Sequence, residues 1–392
     1  MKILVGLSGG VDSAVAAYLL KEQGHEVVAG FMKNYTSESG NCTTYNDAID
    51  AIKVAEFLGI EIRSFDLQKE YQERIIDYIF AGYQKGITPN PDVLCNSLIK
   101  FDVFLKKALE AGFDKIATGH YARIVSNEQG KVNSAECKVN SEKGKVKSEK
   151  GTVQATSKLG TLNPEFGTAN SELGTLHFKL LRGVDHHKDQ SYFLAGLTQF
   201  QLQHSVFPLG ELTKPEVRAI AEKIGLPNAS RKDSQGLCFI GNVPIKQFLL
   251  QKFPIKKGEI RTLEGKTVGT HDGAYFFTIG QKQGLGLNFK AYVYRIDIEN
   301  NIVYVCDKEA EELQTQEIVV KDWHWIAEEA EIGQALSGKI RYRQNPPVAC
   351  EIFKKENTEI SIRFSEPQRA VAPGQVFVLY DGEICLGSGI IH

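Results

Sequence analysis

Apolar residues along the first 120 positions alternate between short continuous runs and stretches of helical periodicity. Residues 2–7 (KILVGL) form an apolar run, interrupted by Ser8, Gly9 and Gly10; Val11, Ala14, Val15, Tyr18 and Leu19 then recur at three- and four-residue spacing until Gly24. That pattern predicts a buried strand, a tight turn and an amphipathic helix. The same reading gives a strand at 25–32 (HEVVAGFM), a helix at 46–58 closed by Gly59 and a strand at 60–67 (IEIRSFDL). It continues with helices at 69–84 and 96–112 and a fourth strand at 115–118 (KIAT). Strands alternating with helices predict an α/β domain with a doubly wound parallel sheet.

The pattern stops at Ser126. From there to Thr175 the chain is rich in Lys, Glu, Ser, Asn, Gly and Thr, its single aromatic residue is Phe166, and it repeats itself (KVNSAEC, KVNSEKG, KVKSEKG, then LGTLNPEFGT and LGTLHF). Such a segment buries too little apolar surface to offset its ordering entropy, so 126–176 reads as a solvated, disordered insertion. Globular patterning resumes at Phe178, and 199–225 reads as helical, with Pro215 tolerated in a first turn after Thr213. From Gly258 onward short alternating runs dominate, with Asn300-Asn301 and Asp381-Gly382 as hairpin turns. We therefore expect a catalytic domain at 1–249, a small central β-rich domain at 250–306 and a C-terminal β-barrel at 307–392.

Composition narrows the class. A chain of 392 residues with 42% apolar and 24% charged residues is ordinary globular protein in two or three domains, not a disordered or fibrous one. Lys plus Arg number 46 against 48 Asp plus Glu, a net charge of −2, which excludes a polybasic architectural protein but leaves room for a basic face. Seven cysteines, an odd number with no close pairs, exclude a secreted disulfide scaffold. The N-terminus shows no secretory signal and no stretch reaches 18 consecutive apolar residues, so a cytoplasmic location with no membrane segment is expected.

The sharpest chemical signal is Gly6-Leu7-Ser8-Gly9-Gly10-Val11-Asp12-Ser13 between the first strand and helix. Small residues permit a tight turn that turns N–H groups toward an anion at a helix N-terminus; Ser8 and Ser13 add hydroxyls, and Asp12 is a candidate Mg²⁺ ligand. No Gly-Lys-Ser/Thr follows, which excludes a Walker A loop; an ordinary capped helix after a glycine turn is the plain alternative. Two cysteines stand out next. Cys95 lies where the Pro-rich stretch 88–94 meets a helix read from Asn96, and a helix N-terminus favours a thiolate. Asp92, three residues earlier, is placed to exchange a proton with a bound base. Cys238 follows a Gly-containing turn at 233–237. Cys42, Cys137, Cys306, Cys350 and Cys385 read as small apolar residues, and no His/Cys cluster has zinc spacing. Lys100, Lys106, Lys107, Lys115, Arg123, Arg182, Lys188, Lys252, Lys256, Lys257, Arg341 and Arg343 are candidates for a phosphate-binding face, and His120 for either the nucleotide site or the core.

The loop SGGVDS resembles that of the PP-loop ATP pyrophosphatases, and the motifs TPNPDVLCN (88–96), LIKF (98–101), ATGHYAR (117–123), KDQSYFL (188–194), DSQGLCFIG (233–241) and TIGQKQGLGL (278–287) resemble those of the tRNA-specific 2-thiouridylases. The resemblance spans the chain except for the insertion. It implies that residues 6–13 bind ATP phosphates with Mg²⁺, that Met32 and Gly119 contact the nucleoside through backbone groups, and that Asn90, Pro91 and Asp92 meet the target uridine. Cys95 would be the nucleophile and Cys238 the persulfide carrier, with the two able to end as a disulfide. Lys188, Asp189, Gln190, Arg341 and Tyr342 would contact tRNA. It further implies ATP-dependent 2-thiolation of a wobble uridine, a donor protein or cysteine desulfurase relay supplying persulfide sulfur, and a monomer. A change of conformation on tRNA binding is the expected means of uniting the two thiols. Two departures stand out: the insertion precedes KDQSYFL, and Tyr35 stands where the family more often has Trp. The alternatives are an amide-forming PP-loop ligase with structural cysteines, and a non-catalytic RNA-binding protein that keeps nucleotide as a ligand.

Overall fold

Lys2–Gly6 forms β1, in which Ile3, Leu4 and Val5 are fully buried. A strand apolar on both faces belongs in the middle of a parallel sheet covered by helices. It pairs in parallel with β2 (Glu26–Lys33) on one side and β4 (Lys115–Ala117) on the other; β3 (Ile62–Asp66) extends β2. Outside β4 lies β7 (Ser205–Val206), also parallel, giving the order β3-β2-β1-β4-β7. The computed structural model describes residues 1–35, 43–126, 177–232, 238, 243–326 and 328–392. Of the insertion read at 126–176, Ser126 is the last residue of a strand; residues 127–176, Cys42 and the rest of the DSQGLCFIG motif around Cys238 lie outside the described residues.

The chain runs outward from β1 to β3 and then returns to the other side of β1 as β4. The reversal between β1 and β4 is a topological switch point, and in open α/β sheets ligands bind beyond the carboxyl ends of such strands. The carboxyl end of β1 is Gly6, which opens the SGGVDS loop; that of β4 leads to Gly119. Helix α1 (Val11–Glu22) covers one face, where Ile3 and Val5 meet Ala14, Val15 and Leu19. Leu4 joins the opposite cluster with Met32, Tyr71, Cys95, Ile99 and Phe104.

Two helices differ from the sequence reading. The helix read from Asn96 starts at Pro91, with Asn90 as N-cap accepting the Val93 N–H at 3.4 Å, so Cys95 lies inside the helix. Both this helix and the one before it contain segments of i→i+5 bonding, at Cys95–Phe104 and Gln72–Ile76. The single helix read over 199–225 is three elements: Gln199–Gln203, β7 and Lys214–Ile224. A side chain at Gly210 would meet Ala122 O at 2.1 Å, so the chain crosses there as close-packed loop. Thr213 and Glu216 then form a reciprocal capping box that starts the next helix, and Gly225 (φ +74°) ends it.

β5 (Ala122–Ser126) and β6 (Phe178–Arg182) pair antiparallel from Ala122↔Arg182 to Ser126↔Phe178. The predicted insertion thus interrupts a hairpin whose ends are register partners. A four-stranded sheet, β10-β11-β8-β9, forms the central domain from β8 (Gly258–Arg261), β9 (Thr267–His271), β10 (Tyr292–Asp297) and β11 (Ile302–Cys306). The last six strands are β12 (Gln314–Trp325), β13 (Leu336–Lys339), β14 (Val348–Glu356), β15 (Glu359–Arg369), β16 (Val376–Asp381) and β17 (Ile384–Ile391). They run in the order β12-β15-β14-β13-β16-β17, and β12 also pairs with β17, which closes a barrel and removes its edges. β6 pairs with β17, so the hairpin fixes the catalytic domain to the barrel. Among the described residues no helix is long and apolar enough to cross a membrane.

Candidate functional site

The loop after β1 is held from three directions. Tyr121 Oη donates to Asp12 Oδ1 at 2.8 Å, and Lys214 Nζ donates to the same oxygen at 2.7 Å while being only 9% exposed. Asn228 Nδ2 and Arg231 Nη1 both donate to Gly9 O (2.8 and 3.1 Å), and Arg231 also engages Asp47 and Asp50 of helix α2 (Thr43–Leu58). Gly9 has φ +74°, and a Cβ on Gly119 would lie 2.7 Å from both Asp12 C and Ser13 N. β4 therefore packs backbone against backbone on the first turn of α1.

The residues at this crevice fit a nucleoside triphosphate. No side chain caps α1, which leaves its first-turn N–H groups for an anion. Lys214 and Arg231 place cationic groups beside them, paired with Asp12 and with Asp47 and Asp50 respectively. Met32 Cε lies 3.2 Å from where a Gly6 Cβ would sit, and Asn34, two residues further on, is 1% exposed with neither amide atom hydrogen-bonded among the described residues. An orphaned buried amide at the mouth of a switch-point crevice is what a ligand polar edge satisfies. The fit to Mg²⁺ is looser. Asp12 is already paired with Lys214, and the described residues hold no cluster of three candidate metal ligands. A Mg²⁺ ion here would rest mainly on phosphate and water oxygens, its usual habit.

The two cysteines singled out by motif meet. Cys95 Sγ and Cys238 Sγ are 3.6 Å apart, although 143 residues separate them in sequence. Asp92 Oδ1 accepts the Cys238 N–H at 3.1 Å, and Tyr71 Oη donates to Cys238 O at 2.6 Å, so both neighbours pin the backbone of the second thiol. Lys100 hydrogen-bonds Cys238. No large rearrangement is needed to unite the thiols, contrary to the sequence expectation.

Their electrostatics also differ from expectation. Burial, and then the hydrogen bond to Cys238, push the Cys95 thiol well above its ordinary range. The Cys95 S–H bond lowers Cys238 against the cost of burial, with the nearby Lys100 charge helping. The helix N-terminus predicted to activate Cys95 begins four residues before it, and the thiol is fully buried, so the thiolate character falls on Cys238. Burial raises Asp92 above the ordinary carboxylate range, opposed by the Cys238 N–H and by Lys100, which suits it to proton exchange. Burial opposes charge on Lys100, but Cys238, Cys95 and Asp92 outweigh it and hold the ammonium protonated.

Asn90 and Pro91 are buried beside Asp92, and Asn90 Nδ2 donates to Tyr192 Oη (3.3 Å), which itself donates to Val376 O of the barrel (2.7 Å). Tyr342 stacks on Phe193 with centroids 4.2 Å apart. The candidate segments 188–190 and 341–342 therefore connect to the target-base segment through Tyr192 and Phe193. Lys188 is partly exposed and Arg341 is exposed, with Arg341 Nη2 bonded to Arg369 O. Gln190 Oε1 accepts the Tyr121 N–H.

Asp189 does not fit the role of surface contact. It is 2% exposed, its Oδ2 faces Arg182 (3.2 Å) and Lys339 (3.4 Å), and its Oδ1 accepts the N–H groups of Gly183 and Ser191. A carboxylate so enclosed holds the hairpin, the 188–194 segment and the barrel together. Removing it takes the carboxylate from buried Lys339 and leaves Arg182 with Glu383, so Asp189→Ala is expected to lower unfolding stability by about 3–5 kcal/mol in denaturant titration. The folded fraction should keep tRNA affinity within about twofold, since the carboxylate offers nothing to solvent. Lost tRNA binding with unchanged stability would refute this placement.

Other sequence candidates are also corrected. Lys100 faces the thiols rather than a phosphate backbone, Arg182 is buried against Asp189, and Arg123 pairs with Glu211 and Glu383. His120 bonds Thr118 Oγ1 and packs against Phe101 and Phe207, and burial keeps it neutral, so it belongs to the core. Sequence reasoning missed Tyr71, Tyr121, Lys214, Asn228 and Arg231, whose roles arise only from long-range packing. Of these, Tyr121 lay inside the ATGHYAR motif and Lys214 left a trace as a cation in the first turn of a capped helix.

Comparison with known proteins agrees with this geometry. A family model described as tRNA methyl transferase HUP domain matches residues 1–146 and 168–242; a tRNA methyl transferase PRC-barrel domain matches 246–307, and an aminomethyltransferase beta-barrel domain matches 315–391. The tRNA-specific 2-thiouridylase of Cupriavidus necator is 41% identical over 100% of this chain and 98% of its own length. That of Polynucleobacter asymbioticus is 42% identical over 100% of this chain and 95% of its own. Among solved structures, the U34-tRNA thiolase of Methanococcus maripaludis with its [4Fe-4S] cluster aligns with 31% of this chain and 38% of that one, at 26% identity and a TM-score of 0.24, too partial a likeness to argue from. On end-to-end similarity to curated relatives and matches in all three domains, the chain belongs to the tRNA-specific 2-thiouridylase family.

Proposed function

We propose that this enzyme replaces the C2 oxygen of the wobble uridine of tRNA with sulfur, using ATP and a persulfide carried on Cys238. The observation that carries the reading is the contact of Cys95 and Cys238 in the buried cluster that also contains Met32, whose side chain lies against the nucleotide loop. A PP-loop ligase that forms amides has no use for such a pair, and neither has a passive RNA-binding protein.

The uracil C2 oxygen is a poor leaving group. The amides and hydroxyls of residues 6–13, with Lys214 and Arg231 behind them, hold the triphosphate while that oxygen attacks the α-phosphate. Pyrophosphate leaves and the oxygen becomes part of an AMP ester. Mg²⁺ would supply charge neutralisation on the phosphates, with Asp12 as the carboxylate that would help hold it. Met32 and Gly119 offer backbone groups to the nucleoside, while Asn90 and Pro91 shape the approach of the uracil. Asp92, whose carboxyl is raised by burial, exchanges protons beside the reacting ring. Sulfur on Cys238 then bonds to C2 and AMP departs with the original oxygen. Cys95 attacks Cys238 Sγ, which breaks the bond to the transferred sulfur and leaves a Cys95–Cys238 disulfide for an external dithiol to reopen. A target base in a folded anticodon loop must leave its stack to reach this buried chemistry.

Unmodified tRNA incubated with the reduced enzyme, ATP, Mg²⁺ and glutathione persulfide as sulfur donor should yield 2-thiouridine by mass analysis of digested nucleosides. A methylated uridine, which two of the family descriptions would suggest, or no new nucleoside at all, would sink the proposal.

A further inference from the structure

An S–H···S contact has no direction of its own, because either sulfur can donate the proton. At this pair the surroundings break the symmetry. Cys95 is sealed in the core at 0% exposure, whereas Cys238 is half-buried. Lys100 provides the second asymmetry. Residues five apart on an α-helix diverge by about 140°, but Cys95–Phe104 follows i→i+5 bonding, which stacks the residue five positions on over the first. That register brings the Lys100 ammonium to the sulfurs, where it hydrogen-bonds Cys238. Among the described residues, Asp92 on the same helix and Tyr71 on the helix before it also face Cys238, and neither supplies positive charge.

We propose that Lys100 gives the thiol pair its direction: its ammonium fixes the negative charge on Cys238, so that sulfur enters the enzyme there while Cys95 keeps its proton. The inference rests on the functional reading above and assigns a step within it. The Cys238 thiolate attacks the outer sulfur of a donor persulfide, RS–SH. The new bond is Cys238 S–S, the donor S–S bond breaks, and its electron pair leaves as RS⁻; the proton on the outer sulfur stays with it. The same ammonium then favours loss of that proton, which readies the perthiolate for an electrophilic carbon. The lowered Cys238 and raised Cys95 thiols agree with this division.

The test needs neither ATP nor tRNA. Full-length reduced protein is treated with iodoacetamide across pH 5.5–10 and each cysteine peptide is quantified by mass spectrometry. In the wild type, Cys238 should be modified with a midpoint below the ordinary thiol value of about 8.5, and Cys95 more slowly throughout. Lys100→Met should raise the Cys238 midpoint by about one unit and slow its modification roughly tenfold at pH 7, and Lys100→Arg should restore both. An unchanged midpoint in folded Lys100→Met would overturn the proposal. A parallel arm uses the wild type alone: after treatment with glutathione persulfide and trapping, the persulfide should sit on Cys238, and its appearance on Cys95 would also overturn the proposal. Failure of the wild type to thiolate tRNA would instead count against the functional reading, since neither arm involves that reaction.

Discussion

Replacing Cys95 or Cys238 by serine should reduce 2-thiouridine formation by at least about a thousandfold, while tRNA-dependent release of pyrophosphate continues. The two thiols touch each other, whereas the phosphate loop is held by Tyr121 and Lys214, so activation of the uridine and delivery of sulfur use separate groups. A serine hydroxyl cannot carry sulfane sulfur, which blocks Cys238→Ser before transfer. Cys95→Ser should stop later, with sulfur bound but not released from Cys238, because the hydroxyl is a far weaker nucleophile toward sulfur. The two variants are therefore distinguishable by the mass of the Cys238 peptide after a single turnover. Ordinary yields of 2-thiouridine from either one would remove the thiol pair from the mechanism.

Gly119→Val should have the opposite profile. A Cβ there meets Asp12 C and Ser13 N at 2.7 Å and Asp12 Cβ at 3.0 Å, all atoms of the first turn of α1 that have no room to yield against β4. Displacement of the phosphate loop by about 1 Å is enough to cost roughly a hundredfold in rate. ATP-dependent pyrophosphate release should fall by that factor, whereas iodoacetamide modification of Cys238 should keep its pH profile. Full activity in the valine variant would mean that the crevice between β1 and β4 is not the nucleotide site.

Much of this was legible before any coordinates. The first four strands follow from continuous apolar runs, and the phosphate loop from small residues between a strand and a helix. The importance of Cys95 and Cys238 came from their motifs, whereas their contact depends on residues 143 positions apart and no local pattern encodes it. The start of the Cys95 helix was signalled by Asn90 and Pro91, an N-cap followed by proline at the first helical position. Reading it from Asn96 placed the Cys95 thiol at the helix end, whereas the helix begins at Pro91 and Cys95 lies within it. The i→i+5 segments that orient Lys100 have no sequence signature. Asp189 and Arg182 look like surface charges in sequence and are enclosed in the structure because each finds partners on a distant element, and Lys100 is half-buried facing the thiols. Conversely, the long helix read over 199–225 failed at Gly210, where tertiary packing against Ala122 overrides periodicity.

Isotopes test the central claim most directly. Enzyme carrying ³⁴S-labelled persulfide on Cys238 is mixed with ATP, Mg²⁺ and tRNA whose wobble uridine bears ¹⁸O at C2, and one turnover is quenched. The account predicts ³⁴S in the thionucleoside, ¹⁸O in the phosphate of AMP, and a Cys95–Cys238 disulfide. Unlabelled AMP accompanying a thionucleoside, or ³⁴S that stays on the protein while C2 keeps its ¹⁸O, would contradict it.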